Sequence, residues 1–334
     1  MKKIYYITAV FATLFLVGCG DGIDLPGVNV ETDLNKIPLP DNNVNLEQVE
    51  LKPSTEPMLH EGLHTEEDFQ RIRDKKAAGE EPWISAYQLL VESQFSQKTA
   101  DTYPTEWIKR GVSGDENYMN AAKGATIAYQ QALRWKIEQD DEYAAKAVEN
   151  LNKWVQTCVG VTGNTNLSLA AGLYGYEFAI AGELLRDYGG WDRADFAAFQ
   201  NWLLKVFYPA NDDFLKRHHD TNALHYWANW CLCNIAAKMA IGIVTDRRDI
   251  YNEGIAHLQT GDTNGRLRRA IYHDYAPDYN FAQWQESGRD QGHTLMCVGL
   301  MGIICQLAWS QGDDFFAYDD NLFLRACEYA ACCN

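Results

Sequence analysis

Positive charge is scarce in this sequence. Lys and Arg number 29 against 46 Asp and Glu, a formal net charge of −17. So acidic a chain excludes the broad basic surface that a nucleic acid requires, although a local basic cleft for a smaller anion survives the test. Cysteine pairs of the zinc-binding C-x-x-C type are missing from the nine Cys. Nucleophile elbows, phosphate-cradling glycine loops and dinucleotide fingerprints are missing too, which removes the commonest acyl-transfer, nucleotide and hydride-transfer sites. Strand-like alternation is weak throughout, AIYHDYAPDYNF at 270–281 being the one local candidate. What is plentiful is apolar and aromatic character, 46% and 12% of the residues, including 10 Trp and 18 Tyr. The chain can therefore bury a sizeable core.

The N-terminus has the form of an export signal. A short basic head, MKK, precedes the apolar stretch IYYITAVFATLFLVG, too short for a comfortable membrane span. Leu16-Val17-Gly18-Cys19 resembles a bacterial lipobox, so residues 1–18 are expected to be removed and Cys19 lipidated. The product would be a domain anchored by lipid to a bacterial membrane, periplasmic or at the cell surface, with no other membrane contact. Loss of Lys2 and Lys3 would leave 27 basic residues against 46 acidic, a net −19. Residues 19–58, polar and with five prolines, read as a tether, and 59–334 as the folded domain. The other cysteines, Cys158, Cys231, Cys233, Cys297, Cys305, Cys327, Cys332 and Cys333, mostly stand among apolar residues at helical spacing and read as buried thiols.

From about residue 64 the periodicity is helical. Thr65 followed by Glu66, Glu67 and Asp68 marks a helix start. A second helix is expected around Trp83–Ser93, then 116–138, 141–157, 168–187, 193–207, 222–243, 246–258, 287–312 and 320–332, with YGGWD, YPAND, GDTNG and QGDD as breaks. About ten helices with short connections imply an all-α chain of antiparallel helical hairpins, compatible with a ring or an open solenoid. The sequence stops at EYAACCN within an apolar helix, where C-terminal truncation is expected.

Six of the eight His lie within 218–293, and three polar, aromatic-rich stretches share that window: HHDTNALHYWANW (218–230), NGRLRRAIYHDYAPDY (264–279) and QWQESGRDQGHT (283–294). In the first, Asn222, His225 and Asn229 would share one helical face beside Tyr226, Trp227 and Trp230. A packed core histidine is the plainer account of that spacing. The second places Arg266, Arg268 and Arg269 before Tyr272, His273 and Tyr275, where guanidinium charge would lower a tyrosine pKa towards useful proton transfer. A solvated basic turn would look the same. In the third, Glu286, Arg289 and His293 would again share a face, with Asp290 able to pair with Arg289 or His293 and carboxamides at Gln283, Gln285 and Gln291. An ion-paired helix start is its plainer account. His218, His219, His225 and His293 lack the H-E-x-x-H spacing among themselves, so no metal and no cofactor are expected.

At HYWANWCLCNIA (225–236), QWQESGRDQGHT and, more weakly, NLSLAAGLYGYEFAIAGELLR (166–186), the chain resembles the alginate lyase family of helical polysaccharide lyases, especially its bacterial lipoprotein members. The resemblance runs from about residue 60 to the end and implies an (α/α) toroid, an incomplete barrel of helical hairpins that cleaves an anionic uronate polysaccharide by β-elimination. It implies an Asn or Arg to neutralise the C6 carboxylate, a His or Tyr to remove the C5 proton and a Tyr to protonate the departing O4. His225 with Asn222 or Asn229 matches the first pairing, although three residues separate Asn222 from His225; Tyr275 or Tyr272 after Arg268 or Arg269 matches the second. The assignment expected on this basis has Tyr275 as acid, His225 as base or as polariser of Tyr275, and Arg289 with an Asn on the carboxylate. Trp227, Trp230 and Trp284 would be flat faces for sugar rings, with Arg269, Tyr272, Gln285, Glu286 and His293 completing the binding surface. Two rival expectations remain: a toroidal glycoside hydrolase using Glu286 and Asp290 as its carboxylate pair, and a surface lipoprotein that binds glycans without reacting.

Overall fold

The computed structural model describes residues 55–333; Cys19, the export signal and nearly all of the tether lie outside them. The first helix, α1 (Glu66–Ala77), starts where expected. Thr65 and Asp68 form a reciprocal capping box that satisfies two backbone N–H groups at the helix start. α2 (Trp83–Glu92) follows, then a short strand β1 (Trp107–Arg110).

Four long helices form the heart of the fold: α3 (Tyr118–Glu138), α5 (Leu167–Leu184), α8 (Ala228–Val244) and α11 (Gln291–Ser310). They pack side by side in that order and run in one direction. Tyr118 stacks on Tyr174, and at the far end of α3 Trp135 meets Tyr188, just past α5. Between α5 and α8, Asn234 reaches the Ser168 carbonyl near one end, and Arg186, just past α5, binds the Ile243 and Val244 carbonyls at the other. Each inner helix is followed by an outer one or an outer pair: α4 (Asp141–Thr157), α6 (Arg193–Val206) with α7 (Tyr208–Arg217), α9 (Arg248–Thr260), and α12 (Tyr318–Cys333). This is the hairpin architecture expected of an (α/α) toroid. Close approach between layers depends on glycine at two points: a Cβ on Gly124 would lie 2.2 Å from the Trp154 indole nitrogen, and one on Gly182 would lie 2.1 Å from the Phe199 ring.

Several boundaries depart from expectation for local reasons. YPAND is not a break: it opens α7, because a proline in the first turn lacks only an N–H that the helix leaves unbonded anyway. The helix expected from 222 begins only at Ala228. The Asn222 side chain accepts from Leu224 N at 2.8 Å, which closes a turn instead of a helix, so Asn222, His225 and Asn229 do not share a helical face. Likewise α11 begins at Gln291, capped by Asp290, and residues 285–288 form a separate 3₁₀ turn, so Glu286, Arg289 and His293 are not on one helix. The strand candidate at 270–281 is met in part. After the short α10 (Leu267–Ala270), β3 (Ile271–Asp274) pairs antiparallel with β4 (Ala282–Trp284). A second pair, β1 with β2 (Gly160–Gly163), runs parallel and had no sequence signal.

At the C-terminal ends of the inner helices the segment 56–64 crosses as a strap. The Gln311 carboxamide, just past α11, brackets it with bonds to Leu59 N, Leu59 O and Glu61 O. Arg248 holds the carbonyls of Glu56 and Pro57, His60 meets Asp246 at 3.0 Å, and His64 meets the Tyr129 hydroxyl of α3 at 2.5 Å. The end of the expected tether is thus part of the domain. The strap contains His60-Glu61-Gly62-Leu63-His64, an H-E-x-x-H spacing far from the other histidines in sequence. It is not helical, its two imidazoles turn to different partners, and no grouping of three potential metal ligands occurs among the described residues. Five cysteines, 158, 231, 233, 297 and 305, are buried thiols as expected, whereas Cys332 is exposed.

Candidate active site

The opposite end, where the inner helices begin, gathers the three polar stretches. Each is tied to the next by hydrogen bonds. Asn264 donates to the carbonyls of Leu224 and Tyr226, at 3.1 and 2.8 Å, and so grips the backbone on either side of His225. Gln285 accepts from Ala228 N at 2.8 Å and Glu286 from Asn229 N at 3.0 Å, which caps α8 from another part of the chain. Tyr275, at the end of β3, donates its hydroxyl to Gln283 of β4 at 2.6 Å.

His225 is exposed, in a loop, with Tyr226 edge-on at 4.9 Å. Its neighbours are braced from below. His218, His219 and Asp220 form a turn with positive φ at all three residues (48°, 52°, 60°). From it His218 stacks on Phe214 at 4.6 Å, and His219 reaches Ser168 Oγ at 3.0 Å. Burial lowers the His218 pKa, so this imidazole is a neutral packing group.

Tyr275 is 92% buried and its pKa is raised, by burial first and then by Tyr329 and Tyr272. This reverses the expected lowering by arginine. Arg268 is committed to Asp274 and Asp319, and Arg325 to Asp274, so no free guanidinium charge faces the phenol from those two residues. Tyr272 is half-buried, its pKa also raised by burial. Arg269 is half-buried, its Nε is buried without a partner, and it forms no ion pair with a described residue.

Arg289 stands beside the start of α11 with its side chain 32% exposed. Its Nη1 lies 3.3 Å from Glu286, its Nε 3.7 Å from Asp290, and its guanidinium 5.4 Å from the centre of the Trp227 ring. Asp290 meets both of its expected partners. Burial disfavours its charge, but the His293 N–H and imidazole, the latter at 2.6 Å, hold its pKa below the ordinary value. Of the three tryptophans, Trp227 is 39% exposed and fits the part of a sugar platform. Trp230 is half-buried against Tyr226, at 4.7 Å.

Three assigned residues, Trp284, Glu286 and Asn229, are enclosed by protein. Trp284 is fully buried, with its indole N–H on the Ala326 carbonyl, so it anchors β4 to α12. Glu286 is fully buried, and its carboxylate accepts from Asn229 N, Asn229 Nδ2 and Arg289. Asn229 is buried as that partner, whereas Asn222 is exposed and commits only its Oδ1, to Leu224 N. With Glu286 enclosed and Asp290 capping a helix, the carboxylate pair required of a hydrolase is not available. Gln285 is half-buried and committed to its capping bond.

Arg110, in β1, was missed by sequence reasoning. Its guanidinium lies over the Tyr118 ring at 4.6 Å, and its buried Nη1 has no partner. WIKRG carries no signal that distinguishes it from a surface arginine. Asn264, which sets the His225 loop, was missed because a single asparagine in a Gly/Asp-rich break reads only as a turn.

A family model described as alginate lyase matches residues 73–332. Among solved structures, alginate lyase A1-III as a histidine-to-alanine variant complexed with tetrasaccharide matches with a TM-score of 0.60 at 12% identity, over 82% of this chain and 77% of that one. The same enzyme as a tyrosine-to-phenylalanine variant, also complexed with tetrasaccharide, gives 0.58 at 13% identity, over 82% and 78%; its source is Sphingomonas species A1. An alginate lyase from Bacteroides ovatus gives 0.57 at 13% identity, over 80% and 82%. Identities this low speak for the toroidal fold alone. No curated protein matches the chain in sequence.

Proposed function

Because this chain belongs to the alginate lyase family, we propose that it cleaves its uronate polymer through His225 and Tyr275, with arginine on the carboxylate. As a member of that family it is a polysaccharide lyase acting on an alginate-like substrate. The chemistry is an elimination. A cation or hydrogen-bond donor withdraws charge from the C6 carboxylate and makes the C5 proton acidic. His225 takes that proton, the C5–H electrons form the C4–C5 double bond, the C4–O4 bond breaks, and Tyr275 protonates O4.

The observation that carries the assignment is the contrast between the two groups. The His225 imidazole is open to solvent on a loop clamped by Asn264, as a base that must meet a sugar C–H should be. The Tyr275 phenol is kept protonated by burial, which suits an acid and not a base. Since Asn229 is buried against Glu286, the carboxylate falls to Arg289 and Arg269, with the exposed Asn222 beside His225 as the remaining asparagine. Trp227 offers a ring face, and His293, fixed by Asp290, borders the same helix start.

The test is ultraviolet absorbance of unsaturated uronate products on polymannuronate, polyguluronate, glucuronan and hyaluronan. An active protein raises absorbance on at least one of them; none on any overturns the reading. We further propose the lipid anchor: Cys19→Ser should move the protein from the membrane fraction to the soluble one, and unchanged fractionation would refute lipidation.

A further inference from the structure

We infer that Glu286 is a positioning residue: a buried carboxylate that couples the start of α8, and with it the His225–Trp227 loop, to the partly exposed Arg289. Four observations meet in this one side chain. It is fully buried. One oxygen accepts from both the backbone and the side chain of Asn229. The other faces Arg289 Nη1 at 3.3 Å. Its neighbour Gln285 caps the adjacent N–H of Ala228. α8 has no side-chain cap of its own, so residues 285 and 286 determine where it begins.

The position of Trp227 and His225 follows from that start. Trp227 is the residue immediately before α8, and Arg289 stacks on its ring. Glu286 and Asp290 occupy the Nη1 and Nε sides of the guanidinium and leave Nη2 without a partner among the described residues. That Nη2, beside Trp227, is what a uronate carboxylate would meet. Without the Glu286 charge, the guanidinium is free to leave that ring, and the capped end of α8 loosens with it. Glu286 touches no substrate in this arrangement; it acts through Arg289 and the loop.

Resting on the lyase reading, this predicts the outcome of a double-mutant cycle in the full chain, with Glu286→Gln, Arg289→Ala and the pair. Glutamine keeps an acceptor for Asn229 and removes only the charge facing Arg289. Glu286→Gln should raise KM on the best polymer roughly 10–100-fold, with kcat falling less. The double variant should be no worse than Arg289→Ala alone, because the two residues act as a unit. A purely architectural role would instead lower the folded fraction, and so the apparent kcat, at unchanged KM. Wild-type KM in a folded Glu286→Gln protein, or additive losses in the pair, overturns the inference. Should Glu286→Gln not fold, Asn229→Ala, which leaves the charge but frees the carboxylate, is expected to raise KM in the same direction by a smaller factor; unchanged KM there counts against it equally. The same cycle read as uronate-oligosaccharide affinity, from tryptophan fluorescence, needs no turnover. Coupled affinities without product would sink the lyase reading and keep this one, and a wild-type protein that neither binds nor cuts would sink both.

Discussion

The two ends of the inner helices solve opposite problems. At the C-terminal ends, where helix dipoles accumulate negative potential, cations are brought in and paired. Arg186 binds Glu183, Asp246 and the last carbonyls of α8, and Arg73 binds Glu66 and the Lys136 carbonyl near the end of α3. At the N-terminal ends the potential is positive, yet arginines are found there too. Arg110 and Arg269 carry buried nitrogens without partners, and Arg289 keeps one edge free. The difference explains how a chain of net charge −17 can receive a polyanion. One end is neutralised for stability, while the other keeps cations in reserve, above helix starts that favour negative charge.

That contrast is breakable, and the largest effect is expected at the groove end. His225→Ala and Tyr275→Phe should each cost roughly 10²–10⁴-fold in turnover. They should leave the melting temperature nearly unchanged for His225, which is exposed, and lower it modestly for Tyr275, which loses a bond to Gln283. Near-wild-type product formation by either would remove it from the mechanism. At the strap end the pattern should invert. Arg186→Ala strands the buried Glu183 carboxylate and is expected to destabilise by about 3–5 kcal/mol, with KM unchanged in the protein that remains folded; denaturant midpoints and kinetics on one sample check both halves. Gln311→Ala, which releases three strap bonds, should cost about 1–3 kcal/mol and leave KM untouched. A raised KM in either strap variant would mean that the two ends are not separable.

A further effect sharpens the comparison through pH. Glu177, between the two ends on α5, has a carboxyl pushed up to about 8 by burial, opposed weakly by the Tyr176 hydroxyl. The folded protein therefore holds a proton that the unfolded chain, with the ordinary value of 4.5, gives up. Stability falls as pH rises from about 4.5 towards about 8 and is level above that. Glu177→Gln should flatten this slope. His64, lowered to about 4 by burial, acts in the other direction, its contribution being lost as pH falls from 6.5 towards 4. A melting-temperature series across pH 4–9 in both proteins separates the two.

The hairpin architecture was legible because it rests on a period of 3.6 residues sustained along α3, α4, α5 and α8, which no single side chain can override. The grouping of three stretches into one end was legible for a related reason: polar residues at the head of apolar helices must be satisfied by one another. Roles within the group were not. Trp284 and Trp227 look alike in sequence, and only the packing of α12 against β4 buries the first. Glu286 reads as a groove acid until Asn229 is found against it, 57 residues away. The Tyr275 pKa was read with the wrong sign because Arg268 and Arg325 spend their charge on Asp274 and Asp319, a choice made across 51 residues of chain. Local spacing carries no information about such pairings.

The strap sets where the chain enters the domain. Chain arriving through Glu56 and Pro57 joins it beside Arg248 and Gln311, at the C-terminal ends of the inner helices, and the three polar stretches lie at the other end. The 20 residues of α11 alone put about 30 Å between them. Whatever precedes Glu56 is thus joined to the domain a full helix length away from His225 and Trp227, so the chain's entry and the candidate site do not compete for the same face.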